Sequence, residues 1–170
     1  MTVPRPVFRW FAGLVAAGLA MASLSGCTVP IDAVAGISVS ADGHLLGVML
    51  VCGHHVDGAT LSVDSDDARG QTDAGSWTAV HRLSAGLATW PLDSPSPGWP
   101  ATVPPRRLTP GTRYALYGWT EDNSWSAGSV SFTPAGRDRL TPGDVRYDSA
   151  SDTPRTVPMA TFEAEGCRDM

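Results

Sequence analysis

From Val34 onward, short apolar runs alternate with turn-forming clusters at intervals of roughly ten residues, the pattern of consecutive β-strands. Runs rich in Val, Leu, Thr, Tyr and Trp predict strands over Val34–Ser40, Leu45–Cys52, Thr60–Val63, Trp77–Leu83, Leu87–Leu92, Arg113–Thr120 and Ser129–Thr133. Asp42-Gly43, Asp57-Gly58, Ala85-Gly86 and Asp122-Asn123 supply the turns between them, since Gly, Asn and Asp tolerate the backbone angles that tight turns need. Pro91–Arg107 is proline-rich without a strand period and reads as a loop over one end of the domain. A further strand around Asp144–Tyr147 and a short helix over Met159–Glu165 are expected in the C-terminal part. No amphipathic helix of ordinary length appears, so the fold class that follows is all-β, an antiparallel β-sandwich with a C-terminal extension.

The N-terminus breaks this pattern. Met1–Arg9 carries Arg5 and Arg9 with no acidic residue, and Trp10–Leu24 is apolar or small throughout. A positive region followed by a short hydrophobic one is the layout of a secretory signal, and the run falls short of the ~20 apolar residues of a membrane span. It ends in Leu24-Ser25-Gly26-Cys27, which resembles the lipobox of bacterial lipoproteins: an aliphatic residue, two small ones, then the cysteine that is lipidated and becomes the mature N-terminus. The resemblance implies cleavage of residues 1–26 and a lipid anchor on Cys27, with the chain held at the outer face of the cytoplasmic membrane by two or more acyl chains. The expected organisation is a signal peptide over 1–26, an anchor and short tether over 27–33, a β-sandwich over 34–134 and an extension over 135–170. From Cys27 to Val34 the fully extended chain spans about 25 Å, so the domain should lie close to the bilayer.

Charge narrows the partners. The formal net charge is −5, and removing residues 1–26 takes two arginines and no acid, giving −7. This argues against nucleic-acid binding and against electrostatic adhesion to anionic lipid. Every basic residue besides histidine is arginine. With no lysine, a Schiff base, a Ser–Lys dyad and a P-loop are out of reach. The Arg-, Ala-, Gly- and Pro-rich bias reads as a GC-rich genome of the actinobacterial type.

If Cys27 is lipidated, Cys52 and Cys167 remain, and two cysteines in one small exported domain most often pair. Two free thiols, or a metal site with neighbouring histidines, are the alternatives.

Leu108-Thr109-Pro110-Gly111-Thr112-Arg113-Tyr114-Ala115-Leu116 resembles the approach to strand F of fibronectin type III and related immunoglobulin-like domains. The resemblance implies an Ig-like sandwich in which Tyr114 forms a tyrosine corner, its ring in the core and its hydroxyl bonded to upstream backbone. With Tyr114 inward, Leu116 and Gly118 follow it, while Ala115, Tyr117 and Trp119 face outward. Trp125, beyond the acidic turn Glu121-Asp122-Asn123, is expected near the same surface. Such an aromatic face would hold a sugar polymer or a partner protein, unless the C-terminal extension folds over it. Trp77, Trp90 and Trp99 read as core or loop anchors.

Candidate chemistry is sparse. Cys52-Gly53-His54-His55 gathers sulfur and imidazole ligands, but adjacent residues of an extended chain point opposite ways and no second cluster completes a metal site. His44 and His81 are isolated. Asp64-Ser65-Asp66-Asp67 with Gly70 and Asp73 departs from calcium-loop spacing and lacks the closing Glu. Neither a Gly-x-Ser-x-Gly elbow nor a His-Glu-x-x-His pair is present, and no cofactor is called for. The expected function is therefore that of an extracytoplasmic, non-enzymatic binding module for an envelope protein or polysaccharide. A small ligand- or metal-binding lipoprotein and an unrecognised envelope hydrolase are the alternatives.

Overall fold

The computed structural model describes residues 28–64 and 72–170. The signal segment, the lipidation residue Cys27, and Ser65, Asp66, Asp67 and Gly70 lie outside the described residues.

The described chain is built mainly from strands: β1 (Ile31–Val39), β2 (Leu45–Val51), β3 (Val56–Val63), β4 (Asp73–Leu83), β5 (Gly86–Pro91), β6 (Ala101–Val103), β7 (Tyr114–Trp119), β8 (Ser126–Gly128), β9 (Val130–Phe132), β10 (Asp144–Asp148) and β11 (Pro154–Pro158). Two short helices, α1 (Pro134–Arg137) and α2 (Met159–Glu165), and a 3-10 turn at Gly166–Arg168 complete it. The strands form one curled, mixed sheet running β11-β10-β1-β8-β7-β3-β4-β6, with β2 and β5 added beside β1 and β9 beside β7. The expectation of a purely antiparallel arrangement is corrected at one seam. β8 pairs antiparallel with β7 at Trp119–Ser126 but parallel with β1, Val34 lying opposite Gly128. The predicted strand Ser129–Thr133 corresponds to β9 alone; β8, just ahead of it, lies outside every predicted strand and carries the chain from β7 to β1 before it returns as β9.

β1 begins at Ile31, three residues earlier than the pattern suggested, and both its faces are covered. Ala33, Ala35 and Ile37 enter the main core with Met49, Val56, Leu61, Trp77, Leu116 and Phe132. Val34 on the opposite face joins Val48, Leu50, Val145, Tyr147 and Phe162 in a second, smaller core. A continuous rather than alternating apolar run is what two-sided burial requires.

In the main core Trp90 lies flat against β2, where a Cβ at Gly47 would meet its ring at 2.6 Å. Trp99 stacks on its other face, with centroids 4.0 Å apart and planes 9° apart. Trp77 is also fully buried, so the three tryptophans are core anchors. The Tyr114 ring is buried and its hydroxyl accepts the Thr109 N–H at 2.8 Å, the local contact expected of a tyrosine corner.

Three strands lie outside the predicted ones: β8, a three-residue link between β7 and β1, and two that share one property. β6 is flanked by Pro100 and Pro104, and β11 starts and ends on proline. Both lie at the ends of the sheet path, where a missing N–H faces outward and costs no ladder bond.

The tail is tied down covalently. Cys52 and Cys167 are disulfide-bonded, with Cα atoms 5.7 Å apart across a sequence separation of 115. Phe162 of α2 and Tyr147 of β10 stand 5.0 Å apart, centroid to centroid, against the outer face of β1 and β2. The Tyr147 hydroxyl donates to Asp169 at 2.6 Å, and Arg155 pairs with the same carboxylate. Burial, then the hydrogen bond and charge of Asp169, push the Tyr147 hydroxyl up to about 12.

Two predictions follow from these restraints. A Cys52→Ala/Cys167→Ala variant should lose about 4–5 kcal/mol of stability in urea denaturation, as expected for opening so long a loop. Because the folded state holds the Tyr147 proton more tightly than the unfolded chain does, stability from this group is complete below pH ~10 and declines as pH rises toward 12. Thermal melts of Tyr147→Phe should show a shallower decline across that window than wild type.

Candidate functional site

The residues expected to carry binding sit at the end of the domain where β1 begins. Along β7 the alternation is as anticipated: Tyr114, Leu116 and Gly118 are buried, whereas Ala115, Tyr117 and Trp119 point away and are half-buried.

The reason for that half-burial lies on β3. Trp119 pairs with Gly58 and Tyr117 with Thr60. The Trp119 indole lies so closely over Gly58 that no Cβ fits there, and its Nε1 donates to Thr60 Oγ1 at 3.0 Å. Thr60 is in turn 3.1 Å from the Ser76 hydroxyl, which donates to the Ala59 carbonyl at 3.3 Å. A ladder of small polar residues thus holds the ring flat, and glycine at position 58 is what makes room for it.

Trp125 is placed by the preceding turn. Asn123 adopts a φ of 55°, and its N–H donates to Thr120 O at 3.0 Å. Ser124 gives Asp122 two hydrogen bonds, from its N–H at 3.0 Å and its hydroxyl at 2.6 Å. Those bonds, with a contribution from Thr120, hold the Asp122 carboxyl down at about 2. The Trp125 N–H donates to Thr120 Oγ1 at 3.1 Å.

His54 then stacks on the Trp125 indole, centroids 3.6 Å apart and planes 20° apart. Its Nδ1 lies 2.7 Å from Asp32 Oδ2, and its backbone N–H bonds the same oxygen. His54 remains about half exposed while Asp32 is mostly covered. His55 faces another carboxylate, Asp57, at 3.5 Å. Asp57 is a buried hub that also meets Arg82 at 3.7 Å and accepts the Glu121 N–H at 3.0 Å, tying the 121–124 turn to β3.

The two histidines singled out with Cys52 are therefore committed to separate carboxylates, and the Cys52 sulfur is bonded to Cys167. Among the described residues no three His, Cys, Asp or Glu side chains gather around a common point. His54 and Asp32 form an Asp–His pair, but no hydroxyl partners the second ring nitrogen of His54 among the described residues. His44, at the other end, lies between Asp42 and Asp93.

The tail does not cover the aromatic rings in the way considered from the sequence. Its buried residues pack on Val34, Val48 and Leu50, the outer face of the neighbouring strands. Trp119 is covered instead by the strand partners it bonds, and Trp125 by His54. The Asp32–His54–Trp125 cluster escaped sequence reasoning, since it joins the start of β1, the β2–β3 turn and the β7–β8 turn. The tight Cys52–His55 turn after an apolar strand was its one visible trace.

Comparisons with protein-family models, with curated proteins and with solved structures return no match to this chain. Among the described residues no helix is long and apolar enough to cross a membrane.

The bonding of Trp119 yields a prediction. Trp119→Phe should cost about 1 kcal/mol by removing the bond to Thr60, and Trp119→Ala about 3 kcal/mol by uncovering Gly58 as well. Urea denaturation of the two variants measures both steps.

Proposed function

We propose that this chain is an exported lipoprotein, anchored through Cys27, whose β-domain is an immunoglobulin-like module that binds an envelope protein or polysaccharide without catalysing a reaction. The observation that carries the reading is the string Leu24-Ser25-Gly26-Cys27, behind a positive and then apolar leader and just ahead of β1 at Ile31. The Cys52–Cys167 bond supports it in two ways. Such a bond suits an oxidising compartment, and it leaves Cys27 as the one cysteine available for acylation. Tyr114 with its bond to Thr109, and one core shared by both halves of the sheet, support the immunoglobulin-like assignment.

The tether in this reading is four residues, at most about 14 Å. The domain end bearing His54 and Trp125 therefore sits beside the bilayer, where an amphipathic indole is at home. Tyr117 and Trp125 are better candidates for a partner contact than Trp119, whose ring and Nε1 are both engaged within the domain.

Intact-mass analysis of protein extracted from the membranes of an expressing bacterium tests the anchor. The expected species is residues 27–170 carrying a diacylglyceryl group, absent from a Cys27→Ala variant. Cleavage at another site with a free Cys27 thiol would overturn it. For the binding role, photo-crosslinking from native membranes should capture a defined partner that Trp125→Ala loses while still folding. Single-serine labelling by an activity-based hydrolase probe would instead favour an enzyme built on the Asp32–His54 pair.

A further inference from the structure

The opposite end of the domain has a different chemistry. β1 spans nine residues, so its far end lies about 26 Å from Ile31 at ~3.3 Å per residue. There a pocket of about 250 Å³ opens between the start of β2, the end of β5 and the segment leading into β7. Its floor is apolar: Leu45, Leu61 and Leu92 belong to the main core, and Leu108 packs against it. Its mouth is cationic: Arg106, Arg107 and Arg137 line it together with a single carboxylate, Asp93.

The charges at this mouth are unevenly committed. Asp93 is occupied on both oxygens, accepting the Leu45 N–H at 3.1 Å and facing His44 at 3.1 Å. Arg137 donates to the Gly43 carbonyl at 2.8 Å and meets Asp138 at 3.5 Å. Arg106 and Arg107, by contrast, make no side-chain hydrogen bond or ion pair among the described residues. On a chain of net charge −5, two uncommitted guanidinium groups above a floor of buried leucines edged by the half-buried Leu108 are a local reversal of sign. Guanidinium recognises carboxylate and phosphate by paired N–H donors, and a small apolar cavity with a few charged groups at its mouth is the usual form of a ligand site.

We propose that this pocket binds a small anionic amphiphile as a free monomer: a carboxylate or phosphate held by Arg106 and Arg107, with its short apolar body on the Leu45, Leu61 and Leu92 floor. Arg137, fixed by Gly43 and Asp138, closes the mouth on the side of α1. The pocket carries the proposal alone, whether or not Cys27 bears a lipid.

Isothermal titration of the purified mature domain tests it, using octanoate and octyl phosphate below their micellar concentrations. Octyltrimethylammonium and octyl glucoside serve as chain-matched cationic and neutral controls. The expected result is saturable binding of one or both anions, roughly tenfold or more tighter than either control. An Arg106→Gln/Arg107→Gln variant, whose changes lie at exposed positions, should weaken anion binding by a similar factor with an unchanged melting temperature. Leu108→Asp, confirmed folded by circular dichroism, should also weaken it by placing a carboxylate in the apolar floor beside Arg107. Equal affinity for the anions and the controls, or anion binding unaffected by the arginine changes, would overturn the proposal. So would binding to phosphatidylglycerol vesicles without binding of the monomers, since the arginines would then be meeting a lipid surface.

Discussion

Most of this structure depends on β1 being buried from both sides. Its inward residues, Ala33, Ala35 and Ile37, face the main core, and Val34 faces the second. Its two edges are occupied as well. β2 runs along one, while the other is shared between β8, up to Val34, and β10, from Gly36. A strand so placed must be apolar throughout and small where a neighbour crowds it. Ala33, Ala35 and Gly36 meet that demand, and a Cβ at Gly36 would lie 2.7 Å from Val145. The parallel pairing with β8 is a consequence. With β2 on one edge, the only free ladder positions at the start of β1 are on the other, and the chain leaving the β7–β8 turn arrives there running in the same direction.

The second core explains why the C-terminal extension is integral to the domain. Val34, Val48 and Leu50 would be an exposed apolar stripe without Tyr147 and Phe162 over them. α2 has only seven residues and no side-chain N-cap, so local propensity would not hold it in place. Burial of Phe162, the Tyr147–Asp169–Arg155 group and the disulfide hold it instead. Because Cys52 directly follows β2 and opens the turn carrying His54, the same bond couples the tail to the Asp32–His54–Trp125 cluster.

Strands with a clear apolar period, β2, β5 and β7 among them, were legible to within a residue or so, and α2 was legible in full. The proline-flanked edge strands β6 and β11 were not, because proline is a turn signal until one knows that the strand has no neighbour on that side. For the candidate site the difficulty was different in kind. Alternation in β7 correctly assigned Tyr117 and Trp119 to the outer face, but whether a ring on that face is free depends on the opposing strand. Gly58 decides it for Trp119: in the sequence it is half of an Asp-Gly turn signal, and in the fold it is a strand residue that admits an indole.

That substitution of roles bears on how the two ends of the domain differ. At the end where β1 begins, aromatic and charged side chains satisfy one another: Trp119 with Thr60, Trp125 with His54, His54 with Asp32, and Arg82 with Asp57. At the far end, Arg106 and Arg107 follow two prolines in a segment whose backbone meets the sheet through the Arg106 N–H to Ala74 bond of 2.7 Å. Their backbone is held while their side chains lack internal partners, so the positive charge is positioned without being spent. An extended, proline-stiffened segment loses little entropy when a ligand orders it further. The pairing of a largely self-satisfied end with one bearing uncommitted charge therefore gives the domain a direction: the aromatic surface lies where β1 begins, and the unpaired guanidinium groups lie at the opposite end.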